Sequence, residues 1–217
     1  MLSVRKIDAG KSGAAAQYFC QYYAQDEAKI HGEPAGKWLC GYVGEVRHEQ
    51  LLNAFKGMDE NGQELIATMN GKEHAPGWDL TFSTPKSVSA VWAAGSEELR
   101  EAIAKAHSES VQEALHYLRK NAFTTRHGKG GGDEAKRVPG SACTMYIAEF
   151  EHSTTRANDP ELHSHLVVMN MAKVGKEHRC LDFNMRQKMT AGALYRCVLA
   201  EKMQAMGFGI SEGKGGS

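Results

Sequence analysis

The feature that most constrains this chain is His163-Ser-His165, preceded by His152 across an Asn158-Asp159-Pro160 turn signal. On a strand, residues at i and i+2 share a face, so both imidazoles of His163 and His165 point the same way. β-Branched and apolar residues predominate from Cys143 to His152 and again from Leu162 to Met169. Two strands joined across that turn are expected to pair antiparallel, which brings His152, closing the first strand, beside the same face. Three neutral nitrogen donors around one divalent cation, with positions left open for substrate oxygens, describe a catalytic site. A closed structural zinc site wants a fourth ligand, and no nearby cysteine has suitable spacing. Any one histidine alone reads more readily as a hydrogen-bonded surface or core residue; the cluster is what points to metal. The metal is one divalent ion whose identity stays open among magnesium, manganese, zinc, nickel and copper. The other histidines, His107 and His116 among them, read as solvated or core residues.

The neighbouring patterns supply a scaffold. Trp78, Leu80 and Phe82 alternate with Asp79, Thr81 and Ser83, so a strand there places the acid and the hydroxyls on one face, away from the bulky apolar side. Ser96 stands at an N-cap, Glu97 and Glu98 suit the positive end of a helix dipole, and apolar residues recur at Leu99, Ile103, Ala106, Ala114 and Leu118. This predicts a helix running to about Asn121. A second helix is expected between Arg186 and Met206, with Met189, Ala193, Leu194, Cys197, Val198 and Met203 on one side and Gly207 as its stop. The Gly-rich basic stretch from Arg126 to Arg137 reads as a mobile surface loop, with DNA clamping as the minority reading.

At 217 residues, 41% hydrophobic and 24% charged, the chain suits one α+β domain with a real core. No apolar run approaches the ~18 to 20 residues that span a bilayer, and the N-terminus lacks an apolar signal core. A cytoplasmic protein without membrane contact is expected. Cys20, Cys40, Cys143, Cys180 and Cys197 are scattered and odd in number, which argues for reduced, mostly buried thiols. The 26 basic and 26 acidic residues balance, so the chain does not advertise a polyanion partner through bulk charge. A nucleic-acid role must come from a localised site.

Near the N-terminus, Gln17-Tyr18-Phe19-Cys20-Gln21-Tyr22-Tyr23 gathers several of the chain's seven tyrosines. By itself such a cluster is more often a sign of core packing than of chemistry. Its order along the chain carries more. The tyrosine cluster is followed by Asp79-Leu-Thr-Phe-Ser-Thr-Pro-Lys86-Ser-Val-Ser89 and then by Asp159-Pro-Glu-Leu-His163-Ser-His165. In this order the motifs resemble the MobF class of conjugative relaxases, the TraI/TrwC-like family, from about Met1 to Gly209.

The resemblance implies an HUH-type palm, in which a central antiparallel β-sheet carries the three-histidine metal site and helices flank it. It implies a relaxase (DNA strand transferase) domain over residues 1–209, C-terminally truncated, with 210–217 as a flexible tail. It implies Tyr18 as the nucleophile for initial nicking, metal ligation by His152, His163 and His165, and support of a metal-binding histidine by Asp79. Tyr22 and Tyr23 match the second tyrosine group, associated with later strand transfer. Relatives often have adjacent tyrosines where this chain has Tyr18-Phe19, and their spacer before the second group is longer.

The expected activity is site- and strand-specific nicking and rejoining at a plasmid origin of transfer. Attack by a phenol, rather than by water, leaves a 5′-phosphotyrosine and a free 3′-hydroxyl, so the reverse attack reseals the strand. Lys86 and Arg156 are candidate phosphate contacts, though exposed basic residues are usually only solvated. The expected partners are single-stranded DNA beside a hairpin, relaxosome and coupling proteins, and a helicase region in the full-length protein. A rolling-circle replication initiator shares the chemistry but usually carries its tyrosine after the histidines. A non-catalytic metal-stabilised DNA-binding module is the other alternative.

Overall fold

The structure is a computed structural model, and it describes residues 1–7, 35–67, 74–127, 136–155 and 159–211. Tyr18, Tyr22, Tyr23 and Arg156, together with Asn158 and the end of the tail from 212, lie outside the described residues.

The main sheet contains β1 (Leu2–Ile7), β2 (Lys37–Cys40), β3 (Gly77–Ser83), β6 (Thr144–Thr154), β7 (Pro160–Val174) and β8 (Glu177–Arg179). Its order is β1-β3-β7-β6-β2, with β8 on β7, and its pairings are antiparallel. A smaller antiparallel sheet, ordered β5-β4-β9, comprises β4 (Phe123–His127), β5 (Lys136–Pro139) and β9 (Leu181–Phe183). The described helices are α1 (His48–Phe55), α2 (Lys86–Ala94), α3 (Glu97–Asn121) and α4 (Lys188–Ala205).

Strand β7 is central and covered on both faces, so it reads as a nearly continuous apolar run rather than a clean alternation. Its residues Leu162, Leu166, Val168 and Ala172 join Leu80, Phe82, Ile147, Ile103, Leu118 and Tyr195 in the core beneath α3 and α4. The intervening Val167, Met169 and Met171 face the other way, into a second core with Trp38, Phe55, Phe150 and Leu51. His163 and His165 belong by alternation to this second face.

Gly77 has φ +144°, and a Cβ there would stand 2.0 Å from the carbonyl oxygen of Val168. Only glycine lets β3 begin this close to β7.

Helix α3 starts as its sequence suggests: Ser96 Oγ accepts from the Leu99 amide at 3.3 Å. Its buried stripe includes Ile103, Ala106, Ala114 and Leu118, and also His107 and Ser110. Helix α4 departs from expectation. Its buried face is Ala191, Gly192, Tyr195, Leu199 and Met203, whereas Met189 is 74% exposed and Cys197 is exposed. Both sides of this helix carry aliphatic residues, so counting them does not choose a face. Tyr195, whose hydroxyl finds a buried partner in His107, and Gly192, which lets Leu2 approach, turn the helix the other way.

The expectation of mostly buried thiols is also corrected. Among the described cysteines, Cys180 and Cys197 are exposed and Cys40 and Cys143 half-buried, all of them free. The Gly-rich segment is not loop throughout. Arg126 and His127 pair with Arg137 and Lys136 as a β4–β5 ladder, leaving only 128–135 outside the described residues. The expected strand ending at His152 continues to Thr154, and its partner runs from Pro160 to Val174.

Candidate metal centre

The β6–β7 ladder places His152 directly opposite His163, and the β3–β7 ladder places Thr81 opposite His165 and Ser83 opposite His163. Cross-strand partners share a face, so β6 delivers one imidazole beside the two that β7 already presents. The connection is short: Thr155 N donates to Asp159 O at 2.9 Å, and Asp159 N donates to Thr155 Oγ1 at 3.2 Å. The three rings form a nearly equilateral triangle, with centroid separations of 5.3 Å (His152–His163), 5.4 Å (His152–His165) and 5.2 Å (His163–His165).

Those separations can be tested against coordination chemistry. A metal-to-nitrogen bond of about 2.0 to 2.1 Å places the ion roughly 3.2 Å from each ring centre, and tetrahedral angles then separate ring centres by about 5.3 Å. The spacing therefore suits three imidazoles on one ion. The ring planes do not yet converge: His152 and His163 lie nearly parallel, at 29°, and among the described residues no group of His, Cys, Asp and Glu forms a ready-made cage. Side-chain rotation has to bring the nitrogens to a common point.

Two rings are oriented by their neighbours. Nδ1 of His163 is 2.9 Å from the Glu161 carbonyl oxygen, which can only accept, so Nδ1 carries the proton and Nε2 keeps its lone pair. Nδ1 of His165 is 2.9 Å from Asp79 Oδ1 and 3.2 Å from Thr81 Oγ1. A carboxylate there holds the proton on Nδ1 and leaves Nε2 as the nitrogen able to bind a metal. The side chains of His165 and Asp79 are 12% and 8% exposed, dry enough for the contact to hold its geometry. Burial lowers the His163 pKa below the usual histidine range, the Glu161 carbonyl opposing, while His165 and His152 lower it further. The ring is thus kept neutral, as ligation demands.

Behind the strand lie polar groups that sequence reasoning left unassigned. Thr84 Oγ1 donates to the Leu162 carbonyl at 3.1 Å and lies 2.7 Å from Ser89 Oγ, which accepts from Leu162 N at 3.2 Å. Both residues lie within the Asp79 to Ser89 string, so its hydroxyls are a signal that was present. His107 Nε2 lies 2.9 Å from Ser164 Oγ, and its Nδ1 lies 2.8 Å from the Tyr195 hydroxyl. No sequence spacing foretells that contact, because it joins α3, β7 and α4. Lys86 opens α2 on the exposed surface.

Comparison with known proteins decides the family. A family model described as TrwC relaxase matches residues 8–217. The chain belongs to the TrwC relaxase family. This member of the family is 27% identical over 215 residues to the multifunctional conjugation protein TraI of Escherichia coli, and 28% over 226 residues to TraI of strain K12. These alignments take in 91% and 96% of this chain but 12% of either TraI, so the chain spans about an eighth of those relatives.

Solved structures of the conjugative relaxase TrwC superpose closely. One, copper-bound and in complex with oriT DNA, has a TM-score of 0.78 at 30% identity, covering 99% of this chain and 73% of the other. Another, described as metal-bound with oriT DNA, gives 0.77 at 29% with the same coverage. A third, with a 27-mer comprising the recognition hairpin and the cleavage site, gives 0.74 at 27%, covering 99% of this chain and 72% of that one. The TrwC-family chain therefore has the α+β, HUH-type relaxase fold, with the histidine-bearing antiparallel sheet at its centre and α3 and α4 packed on one face.

Proposed function

We propose that this chain nicks one DNA strand at a plasmid origin of transfer and rejoins it, by metal-dependent transesterification through a 5′-phosphotyrosyl intermediate. The observation that carries the reading is the triangle of His152, His163 and His165, with separations suited to one ion, in a TrwC-family fold. The TrwC structures were bound to DNA, two of them to oriT DNA with a metal and one to a 27-mer comprising the recognition hairpin and the cleavage site.

In this reading the three histidines would hold one divalent cation through nitrogen, and Asp79 keeps His165 in the tautomer that presents Nε2. When bound, such a cation neutralises charge on the scissile phosphate and stabilises the charge that develops during attack. Three imidazoles would leave coordination positions open for phosphate oxygens. Tyr18 supplies the attacking oxygen: its proton passes to solvent as the new phosphorus–oxygen bond forms, the bond from phosphorus to the 3′-oxygen breaks, and that oxygen takes up a proton as a 3′-hydroxyl. A phenol with its usual pKa near ~10 attacks poorly at neutral pH, so orientation and charge neutralisation have to carry the rate. Tyr22 and Tyr23 serve the later strand transfer. Lys86 and Arg156 track the DNA backbone.

The partners proposed are single-stranded origin DNA beside a hairpin, relaxosome and coupling proteins, and a helicase region in a longer protein. Among the described residues no helix is long and apolar enough to cross a membrane, and a cytoplasmic setting is part of the proposal.

The test is incubation with a panel of single-stranded origin-of-transfer oligonucleotides, with covalent adducts read on a denaturing gel. A metal-dependent adduct on at least one oligonucleotide is expected. Tight DNA binding with no adduct at any metal concentration contradicts nicking and supports a binding module.

A further inference from the structure

His163 is flanked along β7 by Leu162, whose amide is tied to Ser89 on α2, and Ser164, whose hydroxyl is tied to His107 on α3. Leu162 is held through its backbone by Thr84 and Ser89. Ser164, fully buried between the two β7 histidines, is held through its hydroxyl by His107, which in turn meets Tyr195. His107 is 1% exposed and Tyr195 0%. Burying two such polar side chains in an apolar core is costly unless each finds a partner. This arrangement satisfies them: the Tyr195 hydroxyl and the Ser164 hydroxyl occupy both ring nitrogens of His107.

Alternation along β7 makes Ser164 a lever. Its side chain points into the helix layer while those of its neighbours point into the metal site. Fixing Ser164 therefore fixes the height and twist of the short backbone segment from which His163 and His165 both project. Burial drives the His107 pKa down to about 3 and the Tyr195 pKa well above its usual value. The network is thus uncharged and adds little field of its own. Its effect on the metal site is geometric.

Resting on the metal-centre reading above, we infer that His107, Ser164 and Tyr195 are positioning residues for the metal site. By joining α3 and α4 to β7 between His163 and His165, they set the spacing of the two imidazoles. The ring separation of 5.2 Å between those histidines is maintained from behind the strand as well as from the Asp79 side. The network works as one unit, because the His107 ring bridges the two hydroxyls and neither hydroxyl orients it alone.

The test uses Tyr195→Phe, which removes one oxygen and keeps the ring, and Ser164→Ala, alone and together. Copper(II) alone is the probe, with the dissociation constant read by calorimetry, nitrogen coordination by electron paramagnetic resonance, and fold by thermal unfolding of the metal-free chain. Each variant should keep a cooperative transition, bind copper about three- to tenfold more weakly, and show an altered resonance spectrum. The double variant should lose little more than Ser164→Ala. A lowered melting temperature with parent-like copper affinity and spectrum overturns the inference and leaves the network as core packing. Failure of the parent chain to bind copper overturns the metal-centre reading and this inference with it. Variants that match a copper-binding parent overturn this inference alone.

Discussion

Replacing Asp79 by asparagine keeps the shape of the side chain and removes its charge. The contact at stake is the 2.9 Å approach of Oδ1 to His165 Nδ1, between side chains 8% and 12% exposed. A hydrogen bond to a charged partner contributes about 1.5 to 3 kcal/mol, and substitutions behind a metal ligand typically weaken binding or rate about 10- to 100-fold. Thr81 Oγ1, 3.2 Å from the same nitrogen, remains as a weaker acceptor and keeps part of the tautomer preference. The expected loss is therefore near the lower bound, about tenfold, or about 1.4 kcal/mol. Thr81→Val alone should cost about threefold, and the pair together about 100-fold, because only an uncharged amide oxygen then remains to accept from Nδ1. Manganese titration followed by calorimetry gives the affinity, and a quenched-flow gel assay gives the rate of covalent adduct formation at saturating metal. Parent-like values of both in Asp79→Asn would refute the reasoning. So would a Thr81→Val variant that loses more than Asp79→Asn.

Other perturbations reach different parts of the account. Gly77→Ala places a Cβ about 2.0 Å from the Val168 carbonyl oxygen and should lower the unfolding free energy by about 3 kcal/mol in a urea melt; unchanged stability would show that β3 can shift. His107 stays neutral when folded down to about pH 3, whereas in the unfolded chain it takes up a proton below its ordinary pKa of about 6.5. The unfolded state then binds more protons, so this group's contribution is intact above that pH and declines as pH falls, approaching about 1.4 kcal/mol per unit. Urea melts from pH 7 to 4 should show a shallower decline in His107→Gln than in the parent, and parallel curves would exclude the effect. Tyr18→Phe should abolish the covalent adduct on an uncut oligonucleotide while fluorescence anisotropy shows DNA binding within about twofold of the parent; a persistent adduct would move the nucleophile elsewhere.

Much of the site's geometry was legible because period-2 alternation is a local property. His163 and His165 at i and i+2, and Asp79 two residues before Thr81, announce shared faces without knowledge of the fold, and the β3–β7 ladder then sets Asp79 and Thr81 beside His165. The long helix from Glu97 was legible from its cap and stripe. The face of α4 was not, because aliphatic residues on both sides leave the choice to a contact between Tyr195 and a histidine 88 positions away. Strands β1, β2, β4, β5, β8 and β9 are short, and their pairing depends on partners distant in sequence. The Arg126 to Arg137 composition suggested loop while its ends form a ladder. His107 was indistinguishable from any other histidine on an amphipathic helix, since only the tertiary fold brings Ser164 to it.

The most direct measurement is mass spectrometry of the peptide that carries covalently trapped origin-of-transfer DNA, from reactions run with metal, with chelator, and with metal restored after chelation. The account predicts nucleotide on Tyr18 in the first and third reactions and none in the second, with His163→Ala giving none in any. Nucleotide on Tyr22 or Tyr23 with none on Tyr18, or an undiminished adduct under chelation, would contradict it.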